Sequence, residues 1–467
     1  MNINLAKSEI IHFVGIGGIG MSGLALIMLG LGFKIQGSDR SINKNIERLK
    51  KNKIKFFLGH SSSNINKATI LVISSAIKKN NIEVIEARKK NLPIYKRGDM
   101  LAHITSLKKN IVVSGSHGKT TTTSLIASIF AKAKLDPTII NGGVIKSLEN
   151  SARLGKSEWS ILESDESDGS FVKVPSTYAV VTNIDREHMD YYQSIDDLKK
   201  HFIKFMHKVP SFGKTFICID DKNNKDICKT SKIKNLITYG IDKNSNFKIK
   251  NISFRKNKSF FDVEMNLPNK KKAVLKKFEI PLIGSHNIKN ATAAIAVSYF
   301  IGISSNVLKD SLRNFKGVER RFSKVLSYNG ADIYDDYAHH PTEIKEVIKG
   351  VRNSFKEKKI ICIFQPHRVS RLKDLKKDFC SAFKKVKSVI LCPIYKAGEN
   401  LSIKIDYNKF ANQIAKKSNI EVFMVNNQYE LSKFLKNHLK PENIVIGMGA
   451  GSISNWLKQL TKSMKEK

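Results

Sequence analysis

The sequence feature that most restricts the fold is the string GSHGKTT at residues 115–121. It follows an apolar segment at residues 111–114, which predicts a strand, and precedes SLIASIFAKA, which predicts a helix. A glycine turn in this position directs backbone N–H groups and the helix dipole at an anion, so it predicts a phosphate-binding loop. The residues predicted to bind the phosphates are Gly115, Ser116, His117, Gly118, Lys119, Thr120 and Thr121.

Lys119 and Thr120 carry the chemistry expected of such a loop. An ammonium group here reaches the terminal phosphates of a nucleoside triphosphate, and the hydroxyl that follows holds Mg²⁺. Val113 stands where the general P-loop pattern has its first glycine, so this is the shorter G-x-x-G-K-T form. The alternative is a glycine turn with a surface lysine, which the flanking strand and helix disfavour. The loop alone does not distinguish hydrolysis, phosphoryl transfer and ligation.

Two polar strings follow predicted strands further along the chain. ESDESD begins at Glu163 after the strand SILES, and TNIDREHMD contains His188 after the strand AVV. Ligands bind at the carboxyl ends of parallel strands, and carboxylate oxygens suit Mg²⁺. The sequence therefore predicts Glu163 as a metal ligand and His188 as part of a second metal site. An acidic surface turn is the alternative.

A second glycine loop, GIGGIG, follows an apolar strand near the start of the chain. It supplies Gly15, Gly17, Gly18 and Gly20, and Asp39 closes the next predicted strand. This is the fingerprint of dinucleotide binding, so an NAD oxidoreductase is one interpretation. A simple dehydrogenase has no use for the second loop at residue 115, whereas a glycine loop also binds other diphosphates, including UDP-sugars. Asp39 is then expected to meet a ribose hydroxyl or uracil.

Strands alternate with helices along the whole chain, which predicts an α/β fold with mainly parallel sheets. We expect three domains: a Rossmann-like domain at 1–107, a central P-loop ATPase domain at 108–318 and a Rossmann-like domain at 319–467. Residues 246–283 alternate polar and apolar side chains and predict an antiparallel ribbon within the central domain.

Composition excludes some classes of protein. No apolar run approaches the roughly 18 residues that span a membrane, so we expect no membrane insertion. The net charge is +40, but the lysines are scattered, with no basic stripe flanked by aromatic residues, so we expect no nucleic-acid partner. Such a surface still favours anionic small substrates. The five cysteines lack metal-ligand spacing, and the start is not a signal peptide, so we expect free thiols and a cytoplasmic protein.

Taken in order, the motifs resemble those of the Mur ligases, which build the peptide of peptidoglycan. The resemblance spans essentially all of the chain, through VGIGGIGMSGLA, GSHGKTTTT, ESDESDGSF, TNIDREHMDYY, PLIGSHNIKNATAA, GVERRF, YDDYAHHPTEI and FQPHRVSR. Members that add L-alanine to UDP-N-acetylmuramate are the most similar. A peptide-recycling member is the alternative within the family. A folylpolyglutamate-type ligase shares only the central fold and would lack the first domain.

The resemblance implies ligation of L-alanine to the lactyl carboxylate of UDP-N-acetylmuramate through an acyl phosphate, with ATP and Mg²⁺. It implies a UDP-sugar site at Gly15, Gly17, Gly18, Gly20 and Asp39, and ATP contacts from His286, Asn287, Asn290, Arg321 and Asp336 besides the phosphate loop. It implies an L-alanine site at Tyr337, His339, His367, Arg368 and Arg371, and metal ligands at Thr120, Glu163 and His188.

Three residues are expected to act in catalysis: Lys119 on the γ-phosphate, His188 on a second Mg²⁺ and His339 as the base. An arginine fork, Arg368 or Arg371, is expected to hold the alanine carboxylate. A structural alternative is that the string HHP simply caps a helix. We expect a monomer or a weak homodimer. The sequence does not decide the selectivity among alanine, glycine and serine.

Overall fold

The computed structural model describes residues 8–255, 257–268, 272–399 and 405–464. These residues form three separate, mainly parallel β-sheets with helices between the strands, so the predicted three-domain α/β fold is confirmed. Contacts group the chain into two compact units. One comprises Met1–Asn251, Phe261–Glu279 and Lys289–Lys316, and the other Ile252–Phe260, Ile280–Ile288 and Gly317–Lys467. The domain boundaries near 107 and 318 stay predictions.

The first sheet is parallel and has the strand order β3-β2-β1-β4-β5. This is the order of a Rossmann-like half. Its strands are β1 Ile10–Val14, β2 Lys34–Asp39, β3 Lys55–Leu58, β4 Ile70–Ile73 and β5 Ile94–Lys96. Its helices are α1 Ile19–Gly30, α2 Lys44–Lys51, α3 Ile82–Lys89 and α4 Arg97–Thr105. The central strand β1 is buried on both faces, as parallel sheets covered by helices require.

The second sheet has the order β15-β14-β13-β12-β11-β10-β6-β9-β7-β8. Its strands are β6 Lys109–Ser114, β7 Thr138–Ile145, β8 Asn150–Arg153, β9 Trp159–Glu163, β10 Tyr178–Val181, β11 Lys214–Cys218, β12 Leu236–Gly240, β13 Phe247–Arg255, β14 Lys258–Met265 and β15 Ala273–Ile280. Its helices are α5 Lys119–Lys132, α6 Ile195–His207, α7 Lys222–Thr230, α8 Ser285–Phe300 and α9 Ser305–Arg313. The predicted ribbon corresponds to β13–β15, with residues 256 and 269–271 outside the described part.

The position of β6 within this sheet creates the site. It pairs in parallel with β10 on one side and with β9 on the other. The carboxyl ends of three neighbouring parallel strands therefore meet at one edge of the sheet. The segments that follow them, beginning at residues 115, 164 and 182, come together although they are far apart in the sequence.

The third sheet has the order β16-β17-β21-β18-β19-β20, with only the β16–β17 pair antiparallel among its pairs. Its strands are β16 Ser323–Tyr328, β17 Ala331–Asp336, β18 Lys359–Phe364, β19 Ser388–Leu391, β20 Glu421–Met424 and β21 Asn443–Met448. Its helices are α10 Pro341–Ser354, α11 Val369–Asp374, α12 Lys376–Cys380, α13 Tyr407–Ser418, α14 Gln428–His438 and α15 Ile453–Ser463.

The structure also bears on membrane insertion and on the state of the cysteines. Within the described residues, no helix combines the length and the apolar character needed to cross a bilayer. The five cysteines are free thiols, four of them buried and Cys228 partly so. Burial raises the pKa of the Cys392 thiol to about 12, which keeps it protonated and unreactive near neutral pH.

Candidate active site

The phosphate loop between β6 and α5 needs glycine at both of its glycine positions. Gly115 has φ +132° and Gly118 φ +83°, in the region that side chains avoid. A Cβ on Gly115 would lie 2.1 Å from Thr182 Oγ1. The loop is tied to the segment after β10, because the amides of Ser116 and His117 donate to the backbone and side-chain oxygens of Asn183, both at 2.9 Å.

Asp185 completes this support of the loop. Its amide donates to Ser116 Oγ at 2.8 Å, and its carboxylate lies 3.0 Å from His117 Nε2. Neither Asn183 nor Asp185 was among the predicted site residues. The signal was present in TNID directly after β10, where polar residues at a strand's carboxyl end indicate a site.

Lys119, the first residue of α5, points back into the loop. Its ammonium donates to the carbonyls of Gly115 at 2.6 Å and Ser116 at 3.2 Å, and to Glu166 Oε2 at 2.7 Å. Burial alone would lower the pKa of Lys119, but the carboxylates of Glu166 and Asp165 outweigh burial and raise it. The alternative of a surface lysine is therefore wrong. The structure holds a positive charge against the loop carbonyls and the Glu166 carboxylate.

An acidic cluster surrounds this ammonium. Single ligand atoms of Asp165, Glu166 and His188 lie within 4.8 Å of one another. Glu166 is fully buried, and its Oε1 has no hydrogen-bond partner among the described residues. His188 Nε2 lies 3.6 Å from this oxygen. Burial raises the pKa of Glu166, whereas Lys119 and His188 outweigh burial at Asp165 and lower its pKa. The sequence prediction named His188 but missed Asp165 and Glu166.

Glu163 lies at a separate point of the same sheet edge. Thr120 Oγ1 donates to its Oε1 at 3.0 Å, and the Gly142 amide donates to its Oε2 at 2.6 Å. The structure thus brings together Thr120 and Glu163, the pair expected to share one metal ion. Thr121 is buried behind them in α5.

The N-terminal glycine loop is held by its own neighbours. The Gly17 amide donates to Asp39 Oδ2 at 2.9 Å, and the side-chain amides of Asn43 and Asn45 donate to the Gly17 carbonyl at 3.2 and 2.9 Å. Gly15 has φ +82° and donates its amide to the Ser38 carbonyl. Gly18 is the N-cap of α1, and Gly20 lies in its first turn. The predicted Asp39 therefore lies against the loop.

Residues at the carboxyl end of β17 form a compact cluster with those after β18. His339 Nδ1 lies 3.0 Å from the Tyr337 carbonyl, and its ring meets those of Tyr337 and His367 edge-on, at 5.2 and 5.8 Å. The guanidinium groups of Arg320 and Arg321 lie 4.7 and 5.1 Å from the centre of the Tyr337 ring. His340 caps α10 with its side chain, as the structural alternative for HHP expected.

The residues after β18 contribute two arginines and a second histidine. Arg371 NH1 lies 3.3 Å from His367 Nδ1, and the His367 ring stacks on Tyr395 at 5.5 Å. Arg368 has φ +70° and donates its amide to the Tyr395 carbonyl. Burial, followed by the nearby charges of His339 and the arginines, lowers the pKa of His367 to about 3. The structure thus groups the five residues predicted to surround L-alanine.

Five further predicted ATP contacts have structural partners of their own. Both oxygens of the buried Asp336 accept amides, from Phe322 at 2.7 Å and Ala338 at 2.8 Å, and burial raises its pKa. Arg321 lies 4.0 Å from Glu343. His286 lies 3.8 Å from Glu346, and Asn287 donates to the Ile283 carbonyl. A Cβ on Gly118 would lie 2.6 Å from Asn290 Oδ1, so Asn290 borders the phosphate loop.

Family models cover most of the chain in three consecutive pieces. Residues 10–109 match "Mur ligase family, catalytic domain", residues 113–298 match "Mur ligase middle domain" and residues 320–451 match "Mur ligase, glutamate ligase domain". A UDP-N-acetylmuramate–L-alanine ligase of Pelagibacter ubique is 64% identical over 460 residues, 98% of this chain and 99% of that protein. The chain belongs to the Mur ligase family.

Other relatives agree. A UDP-N-acetylmuramate–L-alanine ligase of Rhizobium etli is 40% identical, covering 98% of this chain and 97% of its own. The solved structure of a UDP-N-acetylmuramate–alanine ligase from Thermotoga maritima superimposes with a TM-score of 0.82 at 26% identity, covering 97% of this chain and 99% of that one. A murein peptide ligase from Psychrobacter arcticus shares the fold, with a TM-score of 0.74 at 22% identity and coverage of 98% and 99%.

Proposed function

We propose that this Mur ligase joins L-alanine to the lactyl carboxylate of UDP-N-acetylmuramate with ATP, in the synthesis of peptidoglycan precursors. The proposal depends most on one observation. A buried, charged Lys119 lies inside a phosphate loop, in a chain that is 64% identical over nearly its full length to an L-alanine ligase. A carboxylate is a poor electrophile, so ATP first converts it to an acyl phosphate, which the amine of alanine then attacks.

Lys119 acts on the phosphoryl group that is transferred. Charge moves onto the phosphoryl oxygens in the transition state, and a fixed cation with converging amide donors stabilises that charge without reorganising. The two glycines of the loop allow the backbone to approach the phosphates closely. Asn183 and Asp185 keep the loop in this shape before nucleotide binds.

The acidic residues fit a divalent cation. The buried oxygen of Glu166 without a hydrogen-bond partner among the described residues, together with Asp165 and His188, provides one set of ligands. Thr120 and Glu163 provide a second. Mg²⁺ prefers such oxygen ligands, and when bound it would neutralise charge on the phosphates.

The N-terminal loop binds the diphosphate of the UDP-sugar. Residues 15–20 contain no charged side chain, which suits a diphosphate that is held and not transferred. In NAD enzymes the acidic residue after the second strand binds a ribose hydroxyl. Here Asp39 already accepts the Gly17 amide, so its first task is to shape the loop. This contact and the second phosphate loop favour the UDP-sugar over NAD.

L-alanine binds at the cluster of Tyr337, His339, His367, Arg368 and Arg371. Arg371 is held by His367 and supplies the fork for the alanine carboxylate, with Arg368 beside it. His339 accepts a proton from the amine. We place the reaction in the cytoplasm, carried out by a monomer or a weak homodimer.

One assay tests the proposal. ADP release is measured with UDP-N-acetylmuramate and, in parallel, L-alanine, glycine, L-serine or the recycled tripeptide. We expect the largest kcat/KM with L-alanine and no ADP release without the UDP-sugar. Stimulation by the tripeptide alone would assign the chain to peptide recycling, and oxidation or reduction of a nicotinamide without ADP release would reject ligation altogether.

A further inference from the structure

The third sheet places two histidines face to edge, and their surroundings give them opposite tautomers. The ring centres of His339 and His367 are 5.8 Å apart, with the ring planes at 73°. The partner of one imidazole nitrogen decides which nitrogen carries the proton. The two Nδ1 atoms have partners of opposite character.

The Nδ1 atom of His367 faces a hydrogen-bond donor. Its Nδ1 lies 3.3 Å from Arg371 NH1, and a guanidinium can only donate. Nδ1 is therefore the acceptor, and the neutral ring carries its hydrogen on Nε2. Burial and the surrounding cations lower the pKa of His367 to about 3, so the ring is neutral near pH 7 and accepts a proton poorly.

The Nδ1 atom of His339 faces hydrogen-bond acceptors. Its Nδ1 lies 3.0 Å from the Tyr337 carbonyl and 3.3 Å from Glu343 Oε2. Both partners are acceptors, so Nδ1 carries the hydrogen and the lone pair of the neutral ring is on Nε2. An adjacent carboxylate also stabilises the imidazolium ion that forms when Nε2 takes up a proton.

Glu343 is fixed independently of His339's ring. It is the third residue of α10, and its Oε2 accepts the amides of His339 at 3.0 Å and His340 at 3.3 Å. With His340 as N-cap and Pro341 after it, this is a capping box. The same oxygen thus ends the helix and faces the imidazole. The carboxylate is placed by backbone geometry and can orient a side chain.

We propose that Glu343 is a positioning residue that holds His339 with its lone pair on Nε2 and stabilises the charged ring during catalysis, whereas His367 orients Arg371 by accepting its hydrogen bond at Nδ1. This inference rests on the proposed function, because it needs an amine to deprotonate.

The proton count of the second step is consistent with this arrangement. Alanine's nitrogen forms a bond to the acyl carbon, and the bond from that carbon to the phosphate oxygen breaks with its electron pair. Of the three ammonium hydrogens, one stays in the amide, one leaves with inorganic phosphate and one goes to His339 Nε2. The ring later releases that proton to solvent.

Several charged and titratable groups surround His339. They are Tyr337 at the end of β17, Glu343 on α10, Arg320 and Arg321 before β16, and His367, Arg368 and Arg371 after β18. Asp336 lies at the end of β17 near Arg321 and Glu343, but the Glu343 carboxylate is the one 3.3 Å from the His339 ring, so its removal takes a negative charge from the base. Without it the imidazolium is less stable and Nε2 is a weaker base.

The test uses Glu343→Gln, since glutamine keeps an oxygen for the two amides and removes the charge. The matched control is Glu430→Gln, at the same position of α14, where Glu430 accepts the Asn426 amide. For Glu343→Gln we expect kcat to fall at least about tenfold, little change in the KM of ATP, and the acid limb of the kcat–pH profile to move down by about one unit. Glu430→Gln should leave all three unchanged.

A second arm does not depend on the folding of Glu343→Gln. His339→Ala should lose about 10² or more in kcat and recover part of it with added imidazole, whereas His367→Ala should raise the KM of L-alanine without rescue. An unchanged pH profile in Glu343→Gln, equal losses in both glutamine variants, or rescue of His367→Ala alone would overturn the inference. If the unaltered enzyme fails to ligate alanine, the proposed function itself is wrong.

Discussion

The two glycine loops of this protein occupy the same position between a strand and a helix, but different side chains surround them. Each follows a buried parallel strand and precedes a helix, α1 or α5. In the central loop the Lys119 ammonium donates to two loop carbonyls and is paired with Glu166. In the N-terminal loop the Gly17 peptide is held by Asp39 and two asparagine amides, and residues 15–20 carry no cation. The comparison shows that the central loop carries its own ammonium. In the N-terminal loop the Gly15 and Gly17 amides donate within the fold, and a guanidinium beside Gly20 is that of Arg97 on α4.

A buried carboxylate lies behind each loop, and the pKa values of the two carboxylates are shifted in opposite directions. Burial raises the pKa of Glu166 beside the central loop. Glu83 supports the N-terminal loop, since Ser38, whose carbonyl accepts the Gly15 amide, donates its hydroxyl to Glu83 at 2.6 Å. Burial would raise the pKa of Glu83, but contacts with His12, Ser38 and Asn64 outweigh it and lower the pKa to about 2. Glu166 thus keeps one oxygen without a hydrogen-bond partner among the described residues, whereas both oxygens of Glu83 accept hydrogen bonds within the fold.

The largest expected effect is on kcat, and it follows from removing the charge of the central loop. Lys119→Ala should lower kcat for amide synthesis at least about 10³-fold, because the transferred phosphoryl group loses its fixed cation. Lys132→Ala on the same helix is the control, since this exposed side chain forms a surface ion pair with Asp310. Steady-state kinetics and thermal unfolding check both variants. If Lys119→Ala made the amide at near the normal rate, both the contrast between the loops and the proposed function would be wrong.

A smaller effect is expected on fold stability, because the two loops differ in backbone conformation. Gly118→Ala should destabilise the fold by about 1–2 kcal/mol, since φ is +83° and the new Cβ meets Asn290, and it should raise the KM of ATP. Gly18→Ala should leave the stability nearly unchanged, because φ is −61° and a Cβ there has no neighbour closer than 3.6 Å. Urea unfolding measures both. Equal losses of stability would show that the two loops have the same steric demands.

The support of the N-terminal loop gives a third contrast. Asp39→Ala removes the acceptor of the Gly17 amide and should raise the KM of the UDP-sugar about tenfold, the loss expected for one charged hydrogen bond. The KM of ATP should stay the same, and Asp39→Asn, which retains an oxygen, should lose less. A parallel rise in the KM of ATP would mean that the two loops are coupled.

The smallest effect concerns acid stability. Because Glu83 has its pKa lowered from 4.5 to about 2, its ionised form stabilises the native state fully above pH 4.5, and that contribution is lost as the pH falls toward 2. Glu83→Gln should therefore show a weaker loss of hydrogen-exchange protection in β1–β4 than the unaltered protein between about pH 5 and 3. An identical loss in both proteins would contradict this role.

Much of the fold was predictable because local patterns agreed with it. The predicted strands near the start of the chain and at 111–114 correspond to β1 and β6, and the helix predicted from SLIASIFAKA overlaps α5. The strands β7, β8 and β16 were not predicted. β7 contains two glycines and β8 is short and polar, so neither shows the apolar alternation that indicates a strand.

The sequence by itself determined the family, the two glycine loops and the types of residue that carry the chemistry, since these depend on spacing along the chain. Only the tertiary structure decided which side chains contact one another. Strand order brings β9 and β10 to either side of β6, and this joins Lys119 to Glu166 and Glu166 to His188. The hydrogen-bond partners place the hydrogen on Nδ1 of His339 and on Nε2 of the neutral His367 ring. The contacts around β6 are between residues distant in sequence, which local patterns do not encode.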